Sequence, residues 1–398
     1  MTRLLSLLAL TSLGAAAAPT PPPLDPTDFA LLPWWVVPNE PGIYEGVAEC
    51  GFNVIMLAEA DDLDDLQRVG LKALVTGPNT HVGDAEANLP DDEIAARVQG
   101  LVDATANHPA TWGFYLRDEP SATAFPGLGR WKAAYNAAAP GKRCYINLFP
   151  NYANAAQLGA ETYEEHLRLF VEQVNPDFIS YDNYSLLEGN VLRDGYFQNL
   201  AAVRAAALEA GLPFWNIVLG NAHFNYIEPS PASLRFQAFT TLAYGARGLS
   251  YFTYVAPPIG NYRLAPLDQY LNKTPTWEMM REVNLRLRFI IPTYLQYTSR
   301  HVYHLENPPT GGETAESKQL PLTIAGGDLL VGEFDGPDGR SAVMVVNKSL
   351  TSSSHFTVTA ENGGTINIVS PFNGQETGFG GEQLWLAPGQ GSFLVHVP

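Results

Sequence analysis

Residues 111–121, TWGFYLRDEPS, run through apolar residues to an acidic pair, Asp118 and Glu119, and stop at Pro120. Two carboxylates at the end of a short apolar strand suit proton transfer. The most demanding use of paired acids is acetal cleavage, in which one carboxylic acid protonates the leaving oxygen and a second carboxylate acts from the far side. Neighbours on an extended chain point to opposite faces, so Asp118 and Glu119 diverge and do not form that opposed pair by themselves. A partner from another strand is required, and Asp182 in DFISYDNYS has the same setting, an acid closing an apolar run. Glu119 is therefore the expected proton donor and Asp182 the expected second carboxylate. Asp118 is placed as a helper or substrate ligand, and Arg117 as a cation able to pair with one of these acids. Glu59 and Glu228 are reserve candidates.

These acids need a scaffold that delivers strand ends to one place. From residue 28 to about 300, apolar runs alternate with helical periodicity: strand-like segments at 29–41, 52–57, 72–75, 111–117, 143–150, 177–185, 213–222 and 248–254, each followed by an amphipathic stretch. Punctuation agrees, with Gly51, Gly70, Gly211 and Gly245 closing helices and Ser-Pro-Ala-Ser opening one at Ser230. Eight such units predict an α/β fold, a (β/α)8 TIM barrel. No Gly-x-Gly-x-x-Gly follows the first strand to favour an open dinucleotide-binding sheet. Beyond residue 300 the pattern becomes short alternating strands between Gly, Asp and Asn turns, predicting a C-terminal antiparallel β-sandwich over 301–398. Barrels of this kind carry their chemistry at the C-terminal ends of the strands. Trp34, Asn147, Tyr184, Asn216, His223, Tyr251 and Tyr254 lie near those ends and are the expected substrate-binding set. Sugar C–H faces stack on aromatic rings, while hydroxyls need Asn, His and carboxylates. In the sandwich, Phe379 and Trp385 are weak candidates for a glycan platform.

Composition removes other classes. With 41 acidic and 23 basic residues the chain carries a formal charge of -18, which disfavours nucleic acid and anionic membrane surfaces. The eight histidines are scattered, without His-Glu-x-x-His or Cys-rich spacing, so neither a metal nor another cofactor is expected. No Gly-x-Ser-x-Gly elbow occurs. Arg3, the apolar run to Leu13 and small residues to Ala18 have the build of a secretory signal over 1–17, followed by a Pro-rich lead over 18–27. The expected location is secreted or periplasmic, and the two cysteines, Cys50 and Cys144, are expected as buried thiols.

On WGFYLRDEPS, DFISYDNYS and the stretch 229–254, the chain resembles barrel glycoside hydrolases of the large clan that includes bacterial beta-galactosidases and endo-glucanases. The resemblance covers roughly residues 28–300. It implies an oligo- or polysaccharide substrate and an acid/base glutamate at the fourth strand's end, which maps to Glu119. It departs in having Asp118 where the clan usually has Asn, and WNIVLGN where a nucleophilic glutamate closes the seventh strand. The Asp-Glu pair also looks like N-acetylhexosaminidases that use the substrate's acetamido group as nucleophile. There Asp118 orients that group and Glu119 is the acid. A non-catalytic glycan-binding protein on the same scaffold is the remaining alternative.

Overall fold

A computed structural model describes residues 19–398; the signal expected over 1–17 lies outside the described residues. Eight parallel strands, Ala30–Trp34, Val54–Ala58, Lys72–Val75, Thr111–Asp118, Arg143–Leu148, Ile179–Asp182, Phe214–Leu219 and Gly248–Phe252, follow one another around a single sheet. The eighth pairs with the first, Ala30 opposite Gly248. The first and second strands meet through Asn53: its N–H donates to the Leu31 carbonyl, its Nδ2 to the Phe29 carbonyl, and its Oδ1 accepts from the Leu31 N–H. The predicted (β/α)8 barrel is thus nearly closed, with a helix after every strand.

Local signals explain where the helices begin and end. Helix Tyr163–Val174 starts at Thr162, whose side chain accepts from the Glu165 N–H. Helix Pro231–Ala243 starts at Ser230, which forms a reciprocal capping box with Ser233. Gly211 takes the left-handed conformation that ends helix Tyr196–Ala210. Outward strand residues such as Phe114, Ile146, Ile179 and Val218 join the buried layer against the helices. Inward residues fill the barrel, with Trp112, Phe178 and Trp215 stacked at the N-terminal end and Trp34, Tyr115 and Tyr145 above them. The barrel is therefore a solid aromatic core that ends in a polar layer.

From Thr298 the chain forms a six-stranded and a three-stranded antiparallel sheet, as the alternation predicts. Period-two patterning is visible in strand Leu329–Asp335. Leu329 and Val331 face the core between the two sheets, whereas Leu330 and Phe334 join the core shared with the barrel helices. The approach to the barrel is close: a Cβ at Gly332 would lie 2.1 Å from the Ala243 carbonyl oxygen. Cys50 and Cys144 are both buried free thiols. Among the described residues no helix is long and apolar enough to cross a membrane.

Candidate active site

The fourth strand is irregular where it matters. Its register against the fifth runs Phe114 to Cys144 and Tyr115 to Tyr145, then shifts, so that Arg117 meets Ile146 and Asp118 meets Asn147. This β-bulge puts two residues, Leu116 and Arg117, on the outward side in succession and turns Asp118, with Asn147, toward the barrel axis. Glu119 continues the ladder by donating its N–H to the Asn147 carbonyl at 2.8 Å, but with a left-handed φ of 44°. Strict alternation predicts that adjacent acids diverge. The bulge and the positive φ cancel that divergence, and both carboxyls stay near Asp182.

Asn147 organises this group. Its Nδ2 donates to Asp118 Oδ1 at 3.0 Å and to Asp182 Oδ1 at 2.9 Å, and its Oδ1 accepts from Ser180 Oγ at 3.1 Å. Ser180 Oγ in turn lies 2.8 Å from Tyr145 Oη. Every polar atom of the Asn147 amide is used, which fixes its orientation in a buried position. Glu119 lies close enough to Asp182 for each carboxyl to affect the other's ionisation. Two acids so placed oppose one another's ionisation, which favours a proton on one of them.

Electrostatics favour that proton. Burial raises Asp118 to about 6, against the lowering effect of the Asn147 amide and the Glu119 N–H. Burial, then the charge of Asp118, raises Glu119 to about 7. Burial, followed by the charges of Glu119 and Asp118, holds Asp182 well above the ordinary range. Three acids on a low-dielectric floor cannot all ionise at neutral pH, and Glu119, half-buried, is the member of the pair with greater access to solvent.

The other expected residues fall into two groups, and residues the sequence did not single out make a third. Asn147 and Tyr184 stand at the acids, Tyr184 close enough that the charges of Asp182, Asp118 and Glu119 help to raise its phenol. Its neighbours continue an aromatic wall, Phe252 at 5.3 Å and His223 at 6.2 Å. His223 lies flat on Tyr262 at 4.7 Å, bonds Asn221 Oδ1 through Nδ1, and is pushed down to about 4 by burial, so it is neutral. Trp34 is buried beside Tyr145, one layer beneath Asn147.

A second group faces the wrong way. Asn216 is buried against the seventh helix, donating to Thr241 Oγ1 at 2.9 Å. Tyr251 donates to Asn284 Oδ1 at 3.0 Å, and Tyr254 Oη accepts from Trp277 Nε1 at 2.8 Å, both at the last helix. All three are therefore ligands of the helix layer rather than of the barrel mouth. Arg117 is likewise directed away from the acids, bonding Asp84 at 2.6 Å. Among the reserve acids, Glu59 caps the turn Ala60–Asp62 and Glu228 pairs with Arg263 at 2.8 Å.

The third group is what the sequence did not single out as site residues: Ser180, Tyr145 and Tyr115 under the acids, and Tyr226, Tyr262 and Arg193 on the wall. Ser180 and Tyr145 sit two residues before Asp182 and Asn147, the period-two spacing that signals a shared face. Among the described residues no cluster of three His, Cys, Asp or Glu is arranged to hold a metal ion.

No protein-family model matches the chain, and no curated protein matches it by sequence. Solved structures do. A glycoside hydrolase family 5 protein from Bacteroides vulgatus ATCC 8482 aligns over 93% of this chain and 88% of its own, at 12% identity and a TM-score of 0.60. A second glycoside hydrolase aligns over 93% and 92%, at 12% identity and 0.58. A beta-galactosidase from the psychrophilic Marinomonas ef1 aligns over 64% of this chain at 11% identity and 0.48, and the chain spans 59% of its length. At these identities the likeness is one of fold, covering barrel and sandwich together in the first two.

Proposed function

We propose that this protein is a glycoside hydrolase acting on an oligo- or polysaccharide, with Glu119 as the general acid. The observation that carries the reading is the gathering of buried acids at the C-terminal end of the barrel, Asp118 and Asp182 joined by Asn147 with Glu119 beside them and raised to about 7. A glycosidic oxygen leaves only if it is protonated, and an acid titrating near neutrality both holds and releases a proton there. The fold it shares with two glycoside hydrolases is coarser support in the same direction.

The closeness of Glu119 and Asp182 also bears on mechanism. Opposed catalytic carboxylates stand about 5–5.5 Å apart in retaining enzymes and about 6.5–9.5 Å apart in inverting ones. Asp182, buried and close enough to Glu119 for each to affect the other's ionisation, then serves as a positioning residue beside the acid instead of as the opposing carboxylate. With Asp118 on the same floor, the substrate-assisted route fits best. The carbonyl oxygen of a 2-acetamido group bonds to the anomeric carbon as the glycosidic C–O bond breaks. Glu119 gives its proton to the departing oxygen, and Asp118 holds the acetamido N–H. Water then opens the cyclic intermediate, returning a proton to Glu119.

The test is a panel of aryl glycosides, with and without a 2-acetamido group, assayed with wild type, E119Q, D118N and D182N. Wild type turns over an acetamido substrate and E119Q loses about 10²–10⁴-fold in kcat. Unchanged turnover in E119Q refutes the acid assignment. Equal turnover of substrates lacking the acetamido group refutes the substrate-assisted route alone.

A further inference from the structure

Among the described lysines and arginines, Arg193 is singular. The others bond a carboxylate, a carbonyl or a hydroxyl, as Arg117 does Asp84, Arg263 does Glu228, Arg204 does Ser299, and Arg247 does the Tyr297 carbonyl. The Arg193 guanidinium makes no such bond and lies over two aromatic faces, 4.4 Å from the centre of the Tyr152 ring and 5.7 Å from that of Tyr226. Its donors are not sealed in protein, because none is among the buried unpartnered atoms, and the residue is half-exposed. In a chain with 41 acidic residues, a cation without a carboxylate is a position where no internal partner has been supplied.

Its place in the fold gives this meaning. Arg193 follows a small hairpin, Leu186–Leu187 and Val191–Leu192, raised from the end of the sixth barrel strand. Its N–H donates to the Ser185 carbonyl. Tyr152 belongs to the loop after the fifth strand and Tyr226 to the loop after the seventh. These loops are tied together: the Tyr184 N–H donates to Tyr152 Oη, and the Ile227 N–H to the Leu186 carbonyl. The Tyr152 phenol is raised by burial and then by the charge of Asp182. The free guanidinium is therefore held on an aromatic clamp one tyrosine away from the buried acids. Stacking leaves the in-plane N–H groups of an arginine pointing outward, the fork that a carboxylate or sulfate group accepts in bidentate fashion.

We propose that Arg193 is the specificity-determining cation of this site, reading an anionic substituent, a carboxylate or sulfate, on the glycan bound beside Asp182. This rests on the glycosidase reading and names its substrate class. A protein of net charge -18 repels such glycans at long range, so a fixed cation at the mouth offsets that repulsion where the ligand is held.

The experiment measures binding to full-length E119Q protein by calorimetry, so that turnover does not enter. Ligands are matched pairs: uronate oligosaccharides with their carboxyl-reduced counterparts, and sulfated oligosaccharides with their desulfated counterparts. At least one acidic member is expected to bind about 10- to 100-fold tighter than its neutral match, the size of a charged bidentate contact. Adding R193Q removes that preference and leaves the neutral member's affinity unchanged, and R193K restores part of it. The pair that responds identifies carboxylate or sulfate. Equal affinity within both pairs, binding of no acidic member, or a loss in R193Q shared by acidic and neutral members overturns the proposal. Thermal melts of R193Q and R193K exclude misfolding as the cause. Failure of the hydrolase reading is seen separately, as absence of turnover by wild type.

Discussion

Replacing Glu119 with glutamine should make the protein more stable, and only at neutral and alkaline pH. Burial and the charge of Asp118 move the Glu119 carboxyl from an ordinary 4.5 to about 7. A carboxyl raised in the folded state is still protonated there when the unfolded chain has already released its proton. The unfolded state then binds fewer protons, and stability falls as pH climbs from about 4.5 to about 7, with the full penalty present above that window. At 1.36 kcal/mol per pK unit the gap corresponds to about 3 kcal/mol, reduced to roughly 2–3 kcal/mol because the carboxyl keeps partial access to solvent. The amide introduced by E119Q never ionises and so avoids the penalty. It can also donate to Asp182, whose ionisation is then no longer opposed by a neighbouring negative charge. Urea denaturation followed by tryptophan fluorescence at pH 4, 6 and 8.5 measures the effect. Wild type and E119Q should coincide at pH 4, and E119Q should be more stable by about 2–3 kcal/mol at pH 8.5. Superimposable curves at pH 8.5, or a variant less stable at every pH, would refute the claim that Glu119 is a desolvated acid raised by the charge of Asp118.

D118N removes the charge that stands second to burial in raising Glu119, so the alkaline limb of the pH–rate profile, set by loss of the Glu119 proton near pH 7, should move down by about one pH unit; an unmoved limb in residual turnover means that Asp118 does not act on Glu119. Y251F deletes the buried hydrogen bond to Asn284 and should cost about 1–3 kcal/mol in urea denaturation while KM and kcat stay at wild-type values, whereas a raised KM would return Tyr251 to the substrate.

The barrel and the sandwich are legible in the sequence because each unit repeats a signal with its own physical cause. Helical spacing of apolar residues, glycines such as Gly211 where a helix must end, and period-two runs such as LLVGEFD each correspond to an element in the structure. What was not legible is the phase of each strand. A parallel strand between a filled barrel and a helix layer is buried on both faces, so the inward Trp215 and Ile217 and the outward Phe214 and Val218 form one apolar run, and Asn216, itself buried, does not mark a solvent side to orient it. Asn216, Tyr251 and Tyr254 are near strand ends and chemically suited to sugars, but they fall on the outward phase. Asn147, Asp182 and Ser180 fall on the inward one.

The fourth strand shows how the same ambiguity decides the chemistry. With Tyr115 facing inward, unbroken alternation brings Arg117 and Glu119 to the axis and turns Asp118 away, giving one acid with a cation beside it. The bulge after Tyr115 shifts the phase by one, so that Asp118 takes the inward place and Arg117 leaves for Asp84. The left-handed turn at Glu119 then brings the second acid back to the same floor. Removing the cation and adding an acid both act in one direction: the carboxyls are left to hold protons instead of being neutralised by a guanidinium. A site with Arg117 among the acids would hold Glu119 ionised and useless as a proton donor at neutral pH. The single extra residue in the strand therefore takes the cation away and gathers acids whose burial favours their protonated forms, and no property of the residues 111–121 taken one by one announces it.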